Sequence, residues 1–276
     1  METIHLNEEQ LEAVKKVEKE ILLEVDRICR KHNIKYTLAY GTLIGAIRHQ
    51  GFIPWDDDVD ICLLRKDYNR FREVCKTELD SKYFYQSHET DPEYFYLFDK
   101  IRANNTVFRE LFTAEHAIHE GIYIDVFPVD GIADGKFKRW WQQTKFHFYR
   151  MGLMAKYGNI AYRTGKKKLA AQILRVLYVP FSLETLRRKA IQTATSCKHS
   201  EHVYGFCPSD NKKNVYPRTY YTNTVDVQFE DVKLPAPAEY DTILRSMYGD
   251  YMQFPPEEER KTIHELIAFS INPEKD

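Results

Sequence analysis

The run Gly41-Thr42-Leu43-Ile44-Gly45-Ala46-Ile47-Arg48-His49-Gln50-Gly51-Phe52-Ile53-Pro54-Trp55-Asp56-Asp57-Asp58-Val59-Asp60-Ile61 holds the densest chemistry in the chain. Asp58 and Asp60 stand two apart at the head of an apolar stretch. On a strand both carboxylates point to one face and can chelate a cation that neither holds alone. Burying the pair without a cation is costly, so the pattern asks for metal. Asp125 is the only charge in Ile122-Tyr123-Ile124-Asp125-Val126-Phe127, a segment otherwise suited to a core. A third carboxylate on a neighbouring strand completes a two-metal phosphoryl-transfer site, with Mg²⁺ expected and Mn²⁺ as the alternative. Upstream, Gly41-Thr42 at a helix start offers backbone N–H groups and a dipole suited to phosphate.

Three other readings compete for these acids and for the later Cys/His residues. Asp56, Asp58, Asp60 and Asp67 have EF-hand spacing, but Ile61 stands where the sharp turn needs Gly. Cys197, His199, His202 and Cys207 match no ordinary zinc spacing. The Asp-x-Asp of a nucleotide-sugar glycosyltransferase, which holds Mn²⁺ or Mg²⁺ on a diphosphate, stays open as a rival.

The elements that must position these groups follow from periodicity. Asn7 and Gln10 form a capping-box start, and Leu11, Val14, Val17, Ile21, Val25 and Ile28 repeat at helical spacing to His32-Asn33. A short strand over 36–40 is broken at Gly41, and helical spacing returns over 42–49. Further strands are predicted over 58–64, 83–86, 96–103, 106–110 and 122–127, with Pro128 ending the last and a helix from Tyr68 to Leu79. Helices over 136–157, 166–178 and 183–198 precede a hairpin over 227–234 and a helix over 238–248; no internal repeat appears. The fold class is α+β, with a mixed-sheet core over 1–135 and 200–276, a helical insert over 136–199 and a mixed C-terminal tail.

Composition bounds the function classes. The 276 residues are 43% hydrophobic and 29% charged, which suits a packed globular core. No signal-like start or long apolar run is present, and five scattered cysteines suit a reducing compartment, so the expected location is cytoplasmic. Forty Lys and Arg against 41 Asp and Glu argue against a nucleic-acid partner. The balance is uneven, however: Lys136 to Lys189 holds fourteen Lys/Arg and one acid, Glu184. This basic amphipathic stretch suits peripheral contact with an anionic inner-membrane face, with a solvated helical face as the plainer alternative.

The string Gly41–Ile61 resembles the signature of LicD-type phosphocholine transferases, relatives of the fukutin-related proteins within the nucleotidyltransferase superfamily. The resemblance extends to Asp99-Lys100-Ile101-Arg102 with Asn105-Thr106, to Gly121–Gly131, and to Tyr248-Gly249-Asp250-Tyr251-Met252 with Pro255-Pro256 and His264. The superfamily pattern is met by Gly41-Thr42, Asp58/Asp60 and Asp125, with Thr where Ser is more usual. The resemblance implies a nucleotidyltransferase-like core and transfer of phosphocholine from CDP-choline to a hydroxyl of a glycan or lipid-linked glycan, as in lipopolysaccharide or teichoic acid modification. Asp58, Asp60 and Asp125 are then the metal ligands, and Asp125 the candidate proton acceptor. Gly41, Thr42, Arg48, Lys100 and His264 are the substrate-binding candidates. Arg48 either clamps a phosphate or braces an acid of the cluster. Lys100, inside an apolar strand, needs an anionic partner, for which a donor phosphate is the candidate. His264 is helical by context, and is either an active-site contact or exposed. One of Asp56 and Asp57 reaches the metal while the other caps a turn, and Trp55 beside them suits a quaternary ammonium. A nucleotidyltransferase acting on an NTP, and a metal-dependent binding protein with a decayed site, remain the alternatives.

Overall fold

The computed structural model describes residues 2–159, 165–207 and 214–272. Helix α1 (Glu8–Lys31) starts at the anticipated capping box: Asn7 Oδ1 accepts from Gln10 N–H, and Gln10 Oε1 accepts from Asn7 N–H. Its apolar stripe is buried, with Ile21, Leu22, Val25 and Ile28 in the main core and Val14 in a smaller cluster with Phe108, Ile122, Tyr123 and Leu266. The chain then forms β1 (Thr37–Leu38) and the short helix α2 (Tyr40–Ile44), which continues as wider turns over Gly45–His49. Strand β2 (Asp60–Leu64) feeds α3 (Arg65–Glu78), followed by β3 (Tyr83–Gln86), β4 (Asp99–Ala103), β5 (Val107–Glu110) and β6 (Tyr123–Gly131).

The central sheet has the order β1-β2-β6-β4-β3. Strands β2 and β6 run parallel and the other pairs antiparallel, giving a mixed α+β sheet. Strand β6 does not stop at Pro128 but runs through to Gly131. Asp125 donates its N–H to the Val59 carbonyl on the β2 side, so by alternation residue 128 turns its nitrogen away from β2. On that other side, pairing with β4 has ended at Val126 and the next partner strand begins only at Asp130. A proline there forfeits no ladder bond.

Helices α4 (Lys136–Tyr157), α5 (Gly165–Leu177) and α6 (Leu183–Ala194) follow β6 and share a small core of Leu153, Ala155, Tyr178 and Leu186. The chain returns through β7 (His202–Tyr204), which pairs with the end of β6, and β8 (Val215–Pro217). After α7 (Thr219–Thr222), the hairpin β9 (Thr224–Phe229) and β10 (Val232–Pro237) leads to α8 (Tyr240–Tyr248). The last strand, β11 (Leu266–Ser270), pairs with β5 and was not legible in the sequence. His264 sits on the extended approach to it and is not helical. No described helix is long and apolar enough to cross a membrane.

Candidate active site

The sheet register sets three chemical groups in a row. Asp60 on β2 lies opposite Asp125 on β6, and Asp125 lies opposite Lys100 on β4. All three are buried. Lys100 Nζ is 2.7 Å from Asp125 Oδ1 and 3.8 Å from Glu110 Oε1, and it stands over the Tyr123 ring. The anionic partner of Lys100 is therefore Asp125 itself, where the sequence pointed to a donor phosphate. Asp125 Oδ1 nevertheless accepts no aligned hydrogen bond.

The loop ahead of β2 brings further acids. Oxygens of Asp56, Asp57 and Asp58 lie within 4.8 Å of one another, close enough among the described residues to share a metal ion. Gly41 permits this: a Cβ there would stand 2.7 Å from Asp56 Oδ2. Next to it, Tyr40 adopts a left-handed φ of 45°, costly for a bulky residue and held by its edge contact with Phe127. Thr42 Oγ1 accepts the Asp60 N–H at 2.8 Å and so pins the start of β2 to α2. From α1, Lys15 Nζ donates to the Pro54 carbonyl at 2.8 Å and anchors the acid loop.

Asp57 has a separate task. It accepts from the N–H groups of Ile263 and His264 and from His264 Nδ1 at 3.1 Å, while His264 Nε2 meets the Tyr123 hydroxyl at 3.1 Å. His264 thus links the acid loop to β6. Burial alone would lower its pKa, but the Asp57 hydrogen bond and the charges of Glu110, Asp57 and Asp58 push it up to about 10.

The remaining acids carry the opposite perturbation. Burial, then the charges of Asp58 and Asp57, push Asp56 up to about 8. Burial also pushes Asp58 up to about 6, against the pull of His264. Asp60 and Asp125 are raised as well, first by burial; Asp58 and Asp125 raise Asp60 further, whereas Lys100 offsets part of the effect on Asp125. Two nearby groups escaped the sequence reading. Glu18 on α1 is fully buried, its Oε2 has no hydrogen-bond partner, and burial followed by the charges of Asp58, Asp57 and Asp56 raises its pKa. Its signal was its place on the buried stripe between Val14 and Ile21. Tyr248 at the end of α8 is raised by burial and by Asp60, Asp58 and Asp56. Such crowding of buried carboxylates, with orphaned oxygens on Asp125 and Glu18, fits a divalent cation: hard oxygen donors of net negative charge are what it binds, and its charge offsets their repulsion.

Arg48 forms no ion pair with the acid loop among the described residues, although the charge of Asp56 acts on it against the effect of burial. Its Nη1 donates to the carbonyls of Tyr251 and Gln253 at 2.7 and 3.0 Å, and its guanidinium lies 4.9 Å from the Phe254 ring, so it braces the tail motif. Trp55 packs by Phe254 and His49, with the Arg260 guanidinium 5.6 Å from its ring. The Cys/His candidates at 197–207 form no metal-like cluster among the described residues, and Cys207 is buried with its thiol on the Leu97 carbonyl.

The stretch that carries the acid row, residues 33–156, matches the model of the LicD/FKTN/FKRP nucleotidyltransferase domain, so this part of the chain is similar to that family. The chain is also 26% identical, over 98% of its own length and all of the relative's, to the lipopolysaccharide cholinephosphotransferase LicD of Haemophilus influenzae. Shorter matches of 55 residues, 42% and 40% identical, join it to uncharacterized proteins of Rickettsia typhi and Rickettsia prowazekii, covering 20% of this chain and 18% and 21% of theirs.

Proposed function

We propose that the protein is a phosphotransferase that moves phosphocholine from CDP-choline to a hydroxyl of a lipopolysaccharide-type glycan. The observation that carries the metal chemistry is the row of Asp60, Asp125 and Lys100, with the acid loop folded over it. Support for the transferred group comes from the full-length similarity to a cholinephosphotransferase. Asp58, Asp60 and Asp125 would hold a divalent ion, with Asp56 beside Asp58, and the ion would supply charge stabilisation for the phosphoryl group and a lowered pKa for the acceptor hydroxyl.

The chain's own residues do the rest. Thr42 fixes the strand start that presents Asp60. Asp125, with its pKa raised by burial, receives the acceptor proton. Lys100 holds Asp125 in place through the 2.7 Å contact and adds a cation to the acid row. Asp57 and His264 fasten the acid loop against β6. Trp55 and Phe254 already hold a guanidinium against their rings, the same kind of contact a quaternary ammonium makes.

The basic helices suit an acceptor carried on lipid. Phe137, Trp140, Trp141 and Phe148 form an exposed stripe on α4, and Leu169, Ile173, Val176 and Leu177 form one on α5. Phe148 touches Tyr178 and Phe181, just beyond α5, which joins the two stripes. Apolar and aromatic groups set among lysines and arginines are the composition of a surface that docks on anionic headgroups. Product analysis tests the whole reading: CMP release with CDP-choline supports it, diphosphate release from an NTP supports the nucleotidyltransferase alternative, and turnover of UDP-glucose the glycosyltransferase.

A further inference from the structure

A cavity of about 510 Å³ lies where α3, the end of β6 and the end of α6 meet. Its charged walls are Arg65, Lys66, Arg72, Lys198 and Arg218, against a single lining acid, Asp130. Asp130 is five residues beyond Asp125, about 16 Å along β6 at the rise of a strand, so this cavity is separate from the acid cluster.

The charges here are not internally balanced. Arg65 is matched by Asp130 through two bonds of 2.8 and 2.7 Å, and Arg72 by Asp99 and Glu89. Among the described residues, the Arg218 side chain donates to the carbonyls of Ser200 and Lys198, at 2.9 and 3.0 Å. Lys66, Lys198 and Arg218 therefore meet no carboxylate among the described residues. Three uncompensated cations around one concavity repel one another, and a bound anion relieves that repulsion. Arg65, Arg72 and Arg218 are already held in position by their other bonds, so little side-chain freedom is lost when they meet an anion. The size is that of a small-molecule site, larger than an isolated phosphate ion requires.

We infer that this cavity is a second ligand site, which takes a phosphorylated small molecule of sugar-phosphate size. The same chemistry is offered by a free sugar phosphate and by a phosphorylated sugar within an oligosaccharide. Occupation of the site ties α6 to α3 and the sheet edge, because the ligand bridges Lys198 beyond α6 and Lys66 on α3.

The inference does not depend on the donor or on turnover, and its test uses neither. The full chain is titrated calorimetrically at low salt with glucose 6-phosphate, with a phosphorylated oligosaccharide and with glucose as control. EDTA is present so that the acid cluster cannot recruit phosphate through a cation. At least one phosphorylated probe binds, and the tighter of the two identifies the source. Lys66→Ala/Lys198→Ala, at two exposed positions, weakens that binding at least tenfold with an unchanged circular-dichroism spectrum, whereas Asp58→Asn leaves it as it was. Absence of binding by both phosphorylated probes, equal binding of glucose, or undiminished affinity in the double variant overturns the inference.

Discussion

If the acid cluster is a cation site, emptying it with a chelator should destabilise the protein in a pH-dependent way. The carboxyls of Asp58 and Asp56 are pushed up to about 6 and about 8, from ordinary values near 3.8, chiefly by burial. A group whose folded pKa is raised favours the fold while it is protonated in both states, and that contribution is lost as pH rises through the folded value. The window thus runs from about pH 4 to about pH 8. The Asp58 shift alone corresponds to roughly 3 kcal/mol, and because the acids are coupled their shifts do not add. Mg²⁺ at a hundredfold excess over its Kd returns about 2.7 kcal/mol. For a chain of this length that is a rise in melting temperature of roughly 5–10 °C. Differential scanning fluorimetry in EDTA and in Mg²⁺ across this range reads it directly. The expected result is a melting temperature in EDTA that falls with pH and a Mg²⁺-dependent rise largest near pH 8. Asp58→Asn removes a buried charge, so it raises the melting temperature in EDTA and abolishes most of the Mg²⁺ response. Identical curves with and without Mg²⁺ at the alkaline end, or a larger response at the acid end, would show that the cluster holds no cation.

Other outcomes follow from the same geometry. Asp125→Asn and Asp60→Asn should each lower kcat by orders of magnitude with the fold retained, because a ligand charge is lost from the transition state; near-normal turnover in either would remove it from the site. Lys100→Ala strips the counter-charge from buried Asp125 and Glu110 and should cost about 3–5 kcal/mol in urea unfolding, whereas a loss under 1 kcal/mol would show the pair to be incidental. The α4 and α5 surface should bring the protein down with anionic vesicles at low salt and release it at high salt. Trp140→Ala/Trp141→Ala should weaken that co-sedimentation without altering turnover of a water-soluble acceptor, and a wild-type protein that stays in the supernatant at low salt would end the docking idea.

The elements that sequence alone located are those fixed by local pattern. Asn7 and Gln10 mark the start of α1 because a capping box needs only neighbours, and α4 to α6 follow the helical spacing of their apolar residues. The Asp-x-Asp pair and Asp125 were legible as charges stranded in apolar strands. What stayed hidden depends on distant pairing. Strand β11 exists because Leu266–Ser270 pairs with β5, more than 150 residues earlier, and its own sequence follows a Pro-rich, acidic stretch that suggests no strand. The same long-range return places His264 on Asp57, a contact that no local pattern encodes. Lys100 was read correctly as needing an anion, but its partner follows from the β4–β6 register, which the sequence does not state. The two carbonyls that Arg48 meets come from the tail, more than 200 residues later, and no local pattern around the Gly-Thr turn encodes that contact. Glu18 was visible in principle, as an acid on a buried helical stripe.

The central claim is that this acid row transfers phosphocholine. Its most direct test incubates the purified full chain with Mg²⁺, CDP-choline and an isolated lipopolysaccharide oligosaccharide, then follows the acceptor by mass spectrometry and the nucleotide by chromatography. The account predicts an acceptor heavier by one phosphocholine, an equal amount of CMP, and loss of both products in EDTA or in Asp58→Asn. An acceptor left unchanged while CDP-choline is spared, or one that gains a sugar or a nucleotide from another donor, would contradict it.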